Sequence, residues 1–151
     1  MARAAKLLAV KPRSVEELRE RLLEKEWTTV EIVEEALAKL KQHGYLNDDR
    51  FAFGYASYRV RQKPLGRQRL ARDLQMKKVD AETAKNALDT VYQETPEEEL
   101  IDRAIKKRIA LRGYPATRAE TKSLYDYLLR LGFSSDLIIR KVSRGQRELC
   151  E

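Results

Sequence analysis

An apolar pattern recurs three times along the chain and constrains the fold more than any other feature of the sequence. Each copy has two leucines four residues apart, an apolar residue five positions later, and then two apolar positions four residues apart. The copies are Leu18, Leu22, Trp27, Val33 and Leu37; then Leu70, Leu74, Val79, Ala84 and Leu88; then Leu124, Leu128, Phe133, Ile138 and Val142. The second and third copies lie a constant 54 residues apart, and a one-residue difference in a turn explains the shorter offsets from the first copy to the second. Such repetition predicts tandem units that stack on their neighbours.

The residue spacing and the capping signals predict helices throughout. Val30, Val33, Leu37 and Leu40 recur at intervals of three and four, as on a helix with one buried face. Capping boxes, in which a hydroxyl and a carboxylate three residues apart satisfy the first N–H groups of a helix, begin at Ser14, Thr28, Thr95 and Thr117. The predicted helices cover residues 2–10, 14–25, 29–43, 48–62, 66–76, 80–92, 96–112, 117–131 and 134–145. Strand signals are almost absent, so the predicted fold is all-α.

One further helix precedes each copy of the pattern, so the helices group into three tandem three-helix repeats. The predicted units are residues 1–46, 47–93 and 94–151. Because each unit buries little apolar surface alone and stacks on the next, the predicted shape is an elongated, curved body. Three Phe and one Trp supply little aromatic bulk for a single thick core, which favours the same shape.

Charge and cysteine content limit the expected partners and compartment. The formal net charge of +7 makes a polyanion or an acidic protein surface the expected partner. The single cysteine, Cys150, cannot form an intramolecular disulfide and favours a reducing compartment. No apolar run approaches the ~20 residues of a membrane span, and the N-terminus lacks a signal-peptide core. These observations predict a cytoplasmic protein.

The stretch from Tyr58 to Lys78, called the basic segment below, is the candidate binding surface. It contains one carboxylate, Asp73, and eight cations, so its local charge of +7 equals that of the whole chain. The eight candidate partner- or phosphate-binding residues are Arg59, Arg61, Lys63, Arg67, Arg69, Arg72, Lys77 and Lys78. Cations without counter-charges repel one another and favour an anionic partner, although such a run is also compatible with a merely solvated face. Arg59 and Arg69 are the strongest candidates, because guanidinium groups hold carboxylates or phosphates bidentately.

An aromatic stretch precedes the basic segment on the same predicted helix. Phe51, Tyr55 and Tyr58 share one helical face, since they are four and three residues apart. This face is predicted to dock the second unit onto the first. The aromatic residues expected to be largely buried between helices are Trp27, Tyr45, Phe51, Tyr55 and Phe133.

The residue types that enzymes use are sparse and poorly placed. His43, the single histidine, ends a predicted helix beside Gly44 and suits a capping role better than that of a general base. The sequence contains no glycine-rich phosphate loop, metal-ligand spacing or serine-nucleophile motif. It therefore predicts no catalytic residue, no metal ligand and no cofactor, and the protein is not expected to be an enzyme.

The stretch GYLNDDRFAFGYASYRVRQKPLGRQRLARDL resembles the signature of the RecX family, which are small regulators of the bacterial recombinase RecA. RSVEELRERLLEKEW and YDYLLRLGFSSDLI resemble the flanking repeats of that family. The most specific part lies between Gly44 and Gly66, where Asn47 replaces a more usual acidic residue. The resemblance implies a non-enzymatic helical protein that binds RecA filaments on single-stranded DNA, and we expect the protein to be a monomer. It also implies restraint of ATP hydrolysis, of strand exchange in DNA repair, and of the co-protease activity that triggers the SOS response.

Two other functions stay open from the residues alone. LEKEWTTVEIVEEALAKL has the outline of a helix-turn-helix, which would make the chain an independent binder of DNA. Its second helix, however, carries Glu31, Glu34 and Glu35, which DNA phosphates would repel. The other alternative is a generic helical-repeat adaptor unrelated to recombination. Direct contact with single- or double-stranded DNA also stays open.

Overall fold

The computed structural model describes residues 1–150, with side chains described through residue 145. Within that range the chain forms nine α-helices and no strand, which confirms the predicted all-α fold. The helices are α1 (Ala2–Val10), α2 (Val15–Leu23), α3 (Val30–Gln42), α4 (Asp48–Gln62), α5 (Arg67–Met76), α6 (Ala81–Glu94), α7 (Glu97–Arg112), α8 (Arg118–Arg130) and α9 (Ser135–Cys150). Helix α9 continues past its predicted end at residue 145, and the Cys150 side chain lies outside the described part. None of the helices described here is both long and apolar enough to cross a lipid bilayer.

The helices pack in groups of three. Helices α1 and α3 both pack on α2, and helices α4 and α5 both pack on α6. Helices α7, α8 and α9 pack on one another. These groups are the three-helix repeats that the apolar pattern predicts, and they are called units 1, 2 and 3 below. The residue limits predicted for the units stay predictions.

Local sequence explains where several helices begin. Ser14 forms a complete capping box at the start of α2, and the Thr117 side chain accepts a hydrogen bond from a backbone amide at the start of α8. The predicted cap at Thr95 is wrong, because α7 begins one residue later and follows Pro96, whose side chain has no acceptor.

The turn between α2 and α3 is one residue longer than its counterpart in unit 2, and this moves Trp27 out of the core. The capping residue of the next helix follows the second leucine of the pattern by seven residues in the first copy and by six in the second. The cap of α3 is consequently Thr29, and the prediction of Thr28 is wrong. Trp27 stands two residues before that cap and is 72% exposed, so its predicted burial is also wrong. Phe133, which directly precedes the capping residue Ser134, is fully buried as predicted.

The apolar core forms two clusters. The first belongs to unit 1 and contains buried residues between Ala4 and Leu46. The second contains buried residues of both other units, from Ala52 to Ile138. Units 2 and 3 therefore share one core, whereas unit 1 keeps its own.

Units 2 and 3 meet where two glycine backbones touch. The Gly66 amide donates to the Leu131 carbonyl (2.8 Å), and the Gln68 amide donates to the Gly132 carbonyl (3.1 Å). A Cβ on Gly66 would overlap the backbone of Gly132, and a Cβ on Gly132 would overlap Arg69. Both positions therefore require glycine, and any larger residue would push the two units apart.

The surface area agrees with an extended arrangement of the units. The chain exposes 10148 Å². A compact globular protein of the same 17.6 kDa mass exposes about 7900 Å². The excess indicates a body longer than a sphere, as the stacking of thin units predicts. The curvature of that body stays a prediction.

Replacing Gly66 by alanine tests the close approach of units 2 and 3. Because the new Cβ would overlap the Gly132 backbone, we expect Gly66→Ala to lower the free energy of unfolding by about 3 kcal/mol or more. Gly54→Ala is the matched control, since Gly54 lies inside α4 with no atom within 4 Å of its Cβ position. That control should raise the free energy of unfolding by about 0.5–1 kcal/mol. Urea denaturation followed by circular dichroism measures both, and equal stability of the two variants would refute the contact.

Trp27 and Phe133 stand at matching positions of the repeat but in opposite environments. Phe133→Ala should cost about 3–5 kcal/mol of unfolding free energy, because the ring is fully buried. Trp27→Ala should change it by no more than about 0.5 kcal/mol. The emission of this single tryptophan should also be red-shifted and quenched by iodide in the folded protein. A blue-shifted, protected emission would mean that Trp27 is packed after all.

Candidate partner-binding surface

The first turn of α4 attaches unit 2 to unit 1. The Asn47 side chain caps the helix by accepting a hydrogen bond from the Arg50 amide (3.0 Å). One residue later, the Asp48 carboxylate accepts from the Val15 amide at the start of α2 (2.9 Å). The polar residues that open α4 therefore have structural partners, and one of them joins two units.

Polar contacts at the end of α5 complete the seam between units 1 and 2. The buried Ser14 hydroxyl donates to the Lys77 carbonyl. The Lys77 ammonium lies 4.0 Å from a carboxylate oxygen of Glu17. The Lys78 ammonium lies 3.5 Å from a carboxylate oxygen of Glu20. This seam is thus built from polar and charged side chains, in contrast to the shared apolar core of units 2 and 3.

Helix α4 has an apolar face and an aromatic face. Ala52, Ala56 and Val60 are buried in the core that α4 shares with α6, where small side chains permit a close approach of the helices. The aromatic face carries Phe51 and Tyr55, whose rings stack with their centroids 6.1 Å apart. Both rings are only partly buried.

The aromatic face lines an open groove between α1 and α4. The groove has a volume of about 1090 Å³, and α1 contributes mainly small side chains that do not fill it. Tyr45 and Tyr58 are 68% and 56% exposed. The predicted burial of Tyr45 is therefore wrong, and the aromatic face does not close tightly onto unit 1.

Three arginines of the basic segment are paired with carboxylates of this chain. Arg59 and Arg69 both reach Asp73, at N–O distances of 3.4 and 3.5 Å. Arg67 lies 2.7 Å from a carboxylate oxygen of Asp89. Hydrogen bonds from a lysine and from Arg67 hold the pKa of Asp89 below its usual value, so this counter-charge is ionised at neutral pH.

Lys77 and Lys78 form ion pairs at the seam, so five of the eight candidate residues of the basic segment are paired with carboxylates. For these five, the expectation of cations without counter-charges is wrong. Arg61, Lys63 and Arg72 are exposed, and no carboxylate among the described side chains lies within 4.0 Å of their cationic groups. These three residues form the part of the basic segment that is free to attract an anionic partner, and they are called the free cations below.

The linear sequence does not show most of these counter-charges. Glu17 and Glu20 lie on α2 and Asp89 lies on α6, so only folding brings them against the basic segment. A local signal exists for Arg69 and Asp73, which are four residues apart and share one side of a helix. The basic segment is consequently less cationic in the fold than its sequence indicates.

The turn between α4 and α5 is anchored from the neighbouring helices. The Tyr92 hydroxyl donates to the Leu65 carbonyl (2.8 Å), and burial raises the pKa of Tyr92 well above its usual value, which keeps this donor protonated. The Arg67 amide donates to a carboxylate oxygen of Glu97 (3.2 Å). Together with Gly66, these contacts hold the basic segment on a rigid support.

The chemistry that this surface offers is anion binding. Among the described residues, no group of three or more His, Cys, Asp or Glu side chains is placed to hold a metal ion. His43 directly follows α3 as its C-terminal cap, as predicted, and its backbone amide donates to carbonyls of the last turn. Exposed guanidinium and ammonium groups can bind carboxylates or phosphates without any catalytic group.

Two family models match this chain. The one described as "RecX, first three-helix domain" matches residues 1–45. The one described as "RecX, second three-helix domain" matches residues 47–88. Together these matches extend over more than half of the chain.

Proteins named "Regulatory protein RecX" are similar to this chain over almost its whole length. The protein of Amycolatopsis mediterranei (strain U-32) is 32% identical over 142 residues, which are 94% of this chain and 80% of that protein. The protein of Treponema pallidum (strain Nichols) is 34% identical over 138 residues, which are 91% and 79% of the two chains. The protein of Bacillus subtilis (strain 168) is 30% identical over 136 residues, which are 90% of this chain and 51% of that protein.

Solved structures share the fold. The crystal structure of RecX from Lactobacillus salivarius has a TM-score of 0.82 at 21% identity and covers 95% of this chain and 92% of that chain. A crystal structure of regulatory protein RecX has a TM-score of 0.74 at 25% identity, with 90% and 66% coverage. The matched domains, the relatives and the fold agree, and we conclude that this chain belongs to the RecX family of regulatory proteins.

Proposed function

We propose that this protein regulates RecA by binding RecA filaments assembled on single-stranded DNA. The observation that carries the proposal is membership of the RecX family, since resemblance to that family implies this partner. Binding is proposed to inhibit or modulate the recombinase, ATPase and co-protease activities of RecA, and through them DNA repair and the SOS response. The protein is proposed to act in the cytoplasm, as a monomer and without catalysing a reaction.

The proposed contact surface is centred on the free cations. Arg61 and Lys63 lie at the end of α4, and Arg72 lies on α5. An acidic protein groove or a row of phosphates would supply the counter-charges that the described side chains do not. Arg59 and Arg69 share the single carboxylate of Asp73, which offsets part of their charge, so we propose that they position α4 against α5 and contribute less to attraction.

Helix α3 does not suit the rival role of a DNA-reading helix. Glu31, Glu34 and Glu35 are all exposed near its N-terminus, where a recognition helix meets phosphates and bases. The Arg19 guanidinium lowers the pKa of Glu34 by a hydrogen bond, so this carboxylate is ionised at neutral pH. Glu34 and Glu35 pair with Arg19 and Lys39, whereas Glu31 has no cation within 4.0 Å among the described side chains. The uncompensated negative charge of Glu31 at the helix start favours a role in protein contact or packing over an independent helix-turn-helix function.

Phosphate release by RecA tests the proposed function directly. Purified protein added to RecA, single-stranded DNA and ATP should lower the rate of ATP hydrolysis as its concentration rises. The same titration without single-stranded DNA measures the background. An unchanged rate at concentrations in excess of RecA would refute the proposal.

Reversing the free cations tests the proposed surface. The variant Arg61→Glu/Lys63→Glu/Arg72→Glu should need at least roughly tenfold more protein for the same inhibition, because repulsion replaces attraction at three points. Its melting temperature should change little, since all three side chains are exposed and lack ion-pair partners among the described residues.

The control for this variant makes the same change of charge elsewhere. Arg103→Glu/Lys106→Glu/Lys107→Glu alters three exposed cations of α7, which likewise have no ion-pair partner among the described side chains. This control should inhibit RecA like the parent protein. Equal inhibition by both variants and the parent would show that the free cations do not contact the filament.

A further inference from the structure

The groove between α1 and α4 is a candidate binding site that the proposed role of the free cations leaves unused. One wall is α1 with the turn that follows it, and the other is formed by residues between Tyr45 and Tyr58. Its volume of about 1090 Å³ slightly exceeds the ~300–1,000 Å³ of ordinary small-molecule pockets. The groove therefore has room for a segment of a polymer.

Aromatic rings on the α4 side of the groove are accessible to a ligand. Tyr45 and Tyr58 are each more than half exposed, and the partly buried rings of Phe51 and Tyr55 line the groove as well. Gly54 belongs to the same lining and has open space at its Cβ position, so no side chain there covers the neighbouring rings. On the opposite wall, α1 contributes alanines that leave the space free.

The cations of the groove are mostly without counter-charges. Lys11, Arg13, Arg50 and Lys77 line it, and its described lining contains no aspartate or glutamate. Among the described side chains, Lys11, Arg13 and Arg50 have no carboxylate within 4.0 Å of their cationic groups. The Nε atom of Arg13 is buried without a hydrogen-bond partner. Uncompensated positive charge therefore lies beside exposed aromatic rings.

We propose that this groove binds single-stranded DNA. Unpaired bases stack on Tyr45 and Tyr58 while phosphates contact Lys11, Arg13 and Arg50, because stacking platforms beside a cationic track are the common means of holding a single strand. Duplex DNA does not suit this site, since its base faces are already stacked on one another. The choice of DNA over RNA rests on the proposed function, in which the partner filament contains single-stranded DNA.

The exposure of the rings favours a single strand over an acidic amphipathic helix. Such a helix would anchor large apolar side chains in a groove and place its carboxylates on the cations. Tyr45 and Tyr58 are instead more than half exposed, which suits bases that stack from outside. A peptide of that kind is an outcome that the experiment distinguishes.

Fluorescence anisotropy with a labelled oligothymidylate, measured without RecA, tests the groove. The parent protein should bind this probe more tightly than the matching oligouridylate or a duplex of equal length. Tyr45→Ala and Tyr58→Ala should each weaken binding by roughly 5- to 150-fold, the equivalent of losing one stacked base. Trp27→Ala removes an equally exposed ring outside the groove and should bind like the parent. Circular dichroism melting confirms that each variant is folded.

The salt dependence of binding tests the phosphate contacts. Arg50→Gln should reduce the slope of log K against log salt concentration by about 0.7, the loss expected for one phosphate contact with a single strand. Lys106→Gln, outside the groove, should leave the slope unchanged.

Several results would refute the proposal that the groove binds single-stranded DNA. These are no binding of oligothymidylate, tyrosine variants that bind like the parent, equal or tighter binding of the duplex or of oligouridylate, and displacement of the probe by an acidic helical peptide alone. Because RecA is absent from these measurements, their failure leaves the inhibition of ATP hydrolysis to be judged separately.

Discussion

Two glycine backbones in contact allow units 2 and 3 to approach closely around their shared core, and the position of the basic segment depends on them. The hydrogen bonds from Gly66 to Leu131 and from Gln68 to Gly132 join the start of α5 to the turn between α8 and α9. There is no room for a Cβ at either glycine, so the two backbones lie closer than side chains would permit. The same contact brings the Arg69 guanidinium within hydrogen-bond distance of a unit 3 carbonyl. Gly66, which ends the most specific part of the family resemblance, thus has a structural role in this chain.

Unit 1 is attached to unit 2 by polar contacts rather than by a shared apolar core, and the groove results from this difference. Ser14, Asp48, Lys77 and Lys78 make the seam through hydrogen bonds and ion pairs, and no single core encloses units 1 and 2. Polar contacts of this kind fix two points of the seam without filling the space between them. The aromatic face of α4 therefore stays accessible to a ligand, whereas full apolar docking would have covered it.

Periodicity was sufficient to predict the helices and their grouping, because each helix buries one stripe of apolar residues at intervals of three and four. It was not sufficient at Trp27, where one additional turn residue decides whether a ring enters the core or points to solvent. Nor did it show the partners of the basic segment. Arg67 forms an ion pair with Asp89, and Lys78 forms one with Glu20. Both carboxylates lie on other helices, so the spacing of residues along the chain does not indicate these pairs. Contacts between helices are the part of this structure that a linear pattern does not contain.

The distribution of counter-charges matters more for binding than the count of cations. Five cations of the basic segment face carboxylates, which reduces the field that a partner meets there, while most cations of the groove face none among the described side chains. Arg50 in the groove and Arg61 among the free cations lie eleven residues apart on α4, which separates their Cα atoms by about 16 Å along the helix axis. This distance exceeds the Debye length of about 8 Å at physiological salt, so a charge change in one region barely alters the potential at the other. One rigid helix therefore carries two cationic regions whose binding can be altered independently.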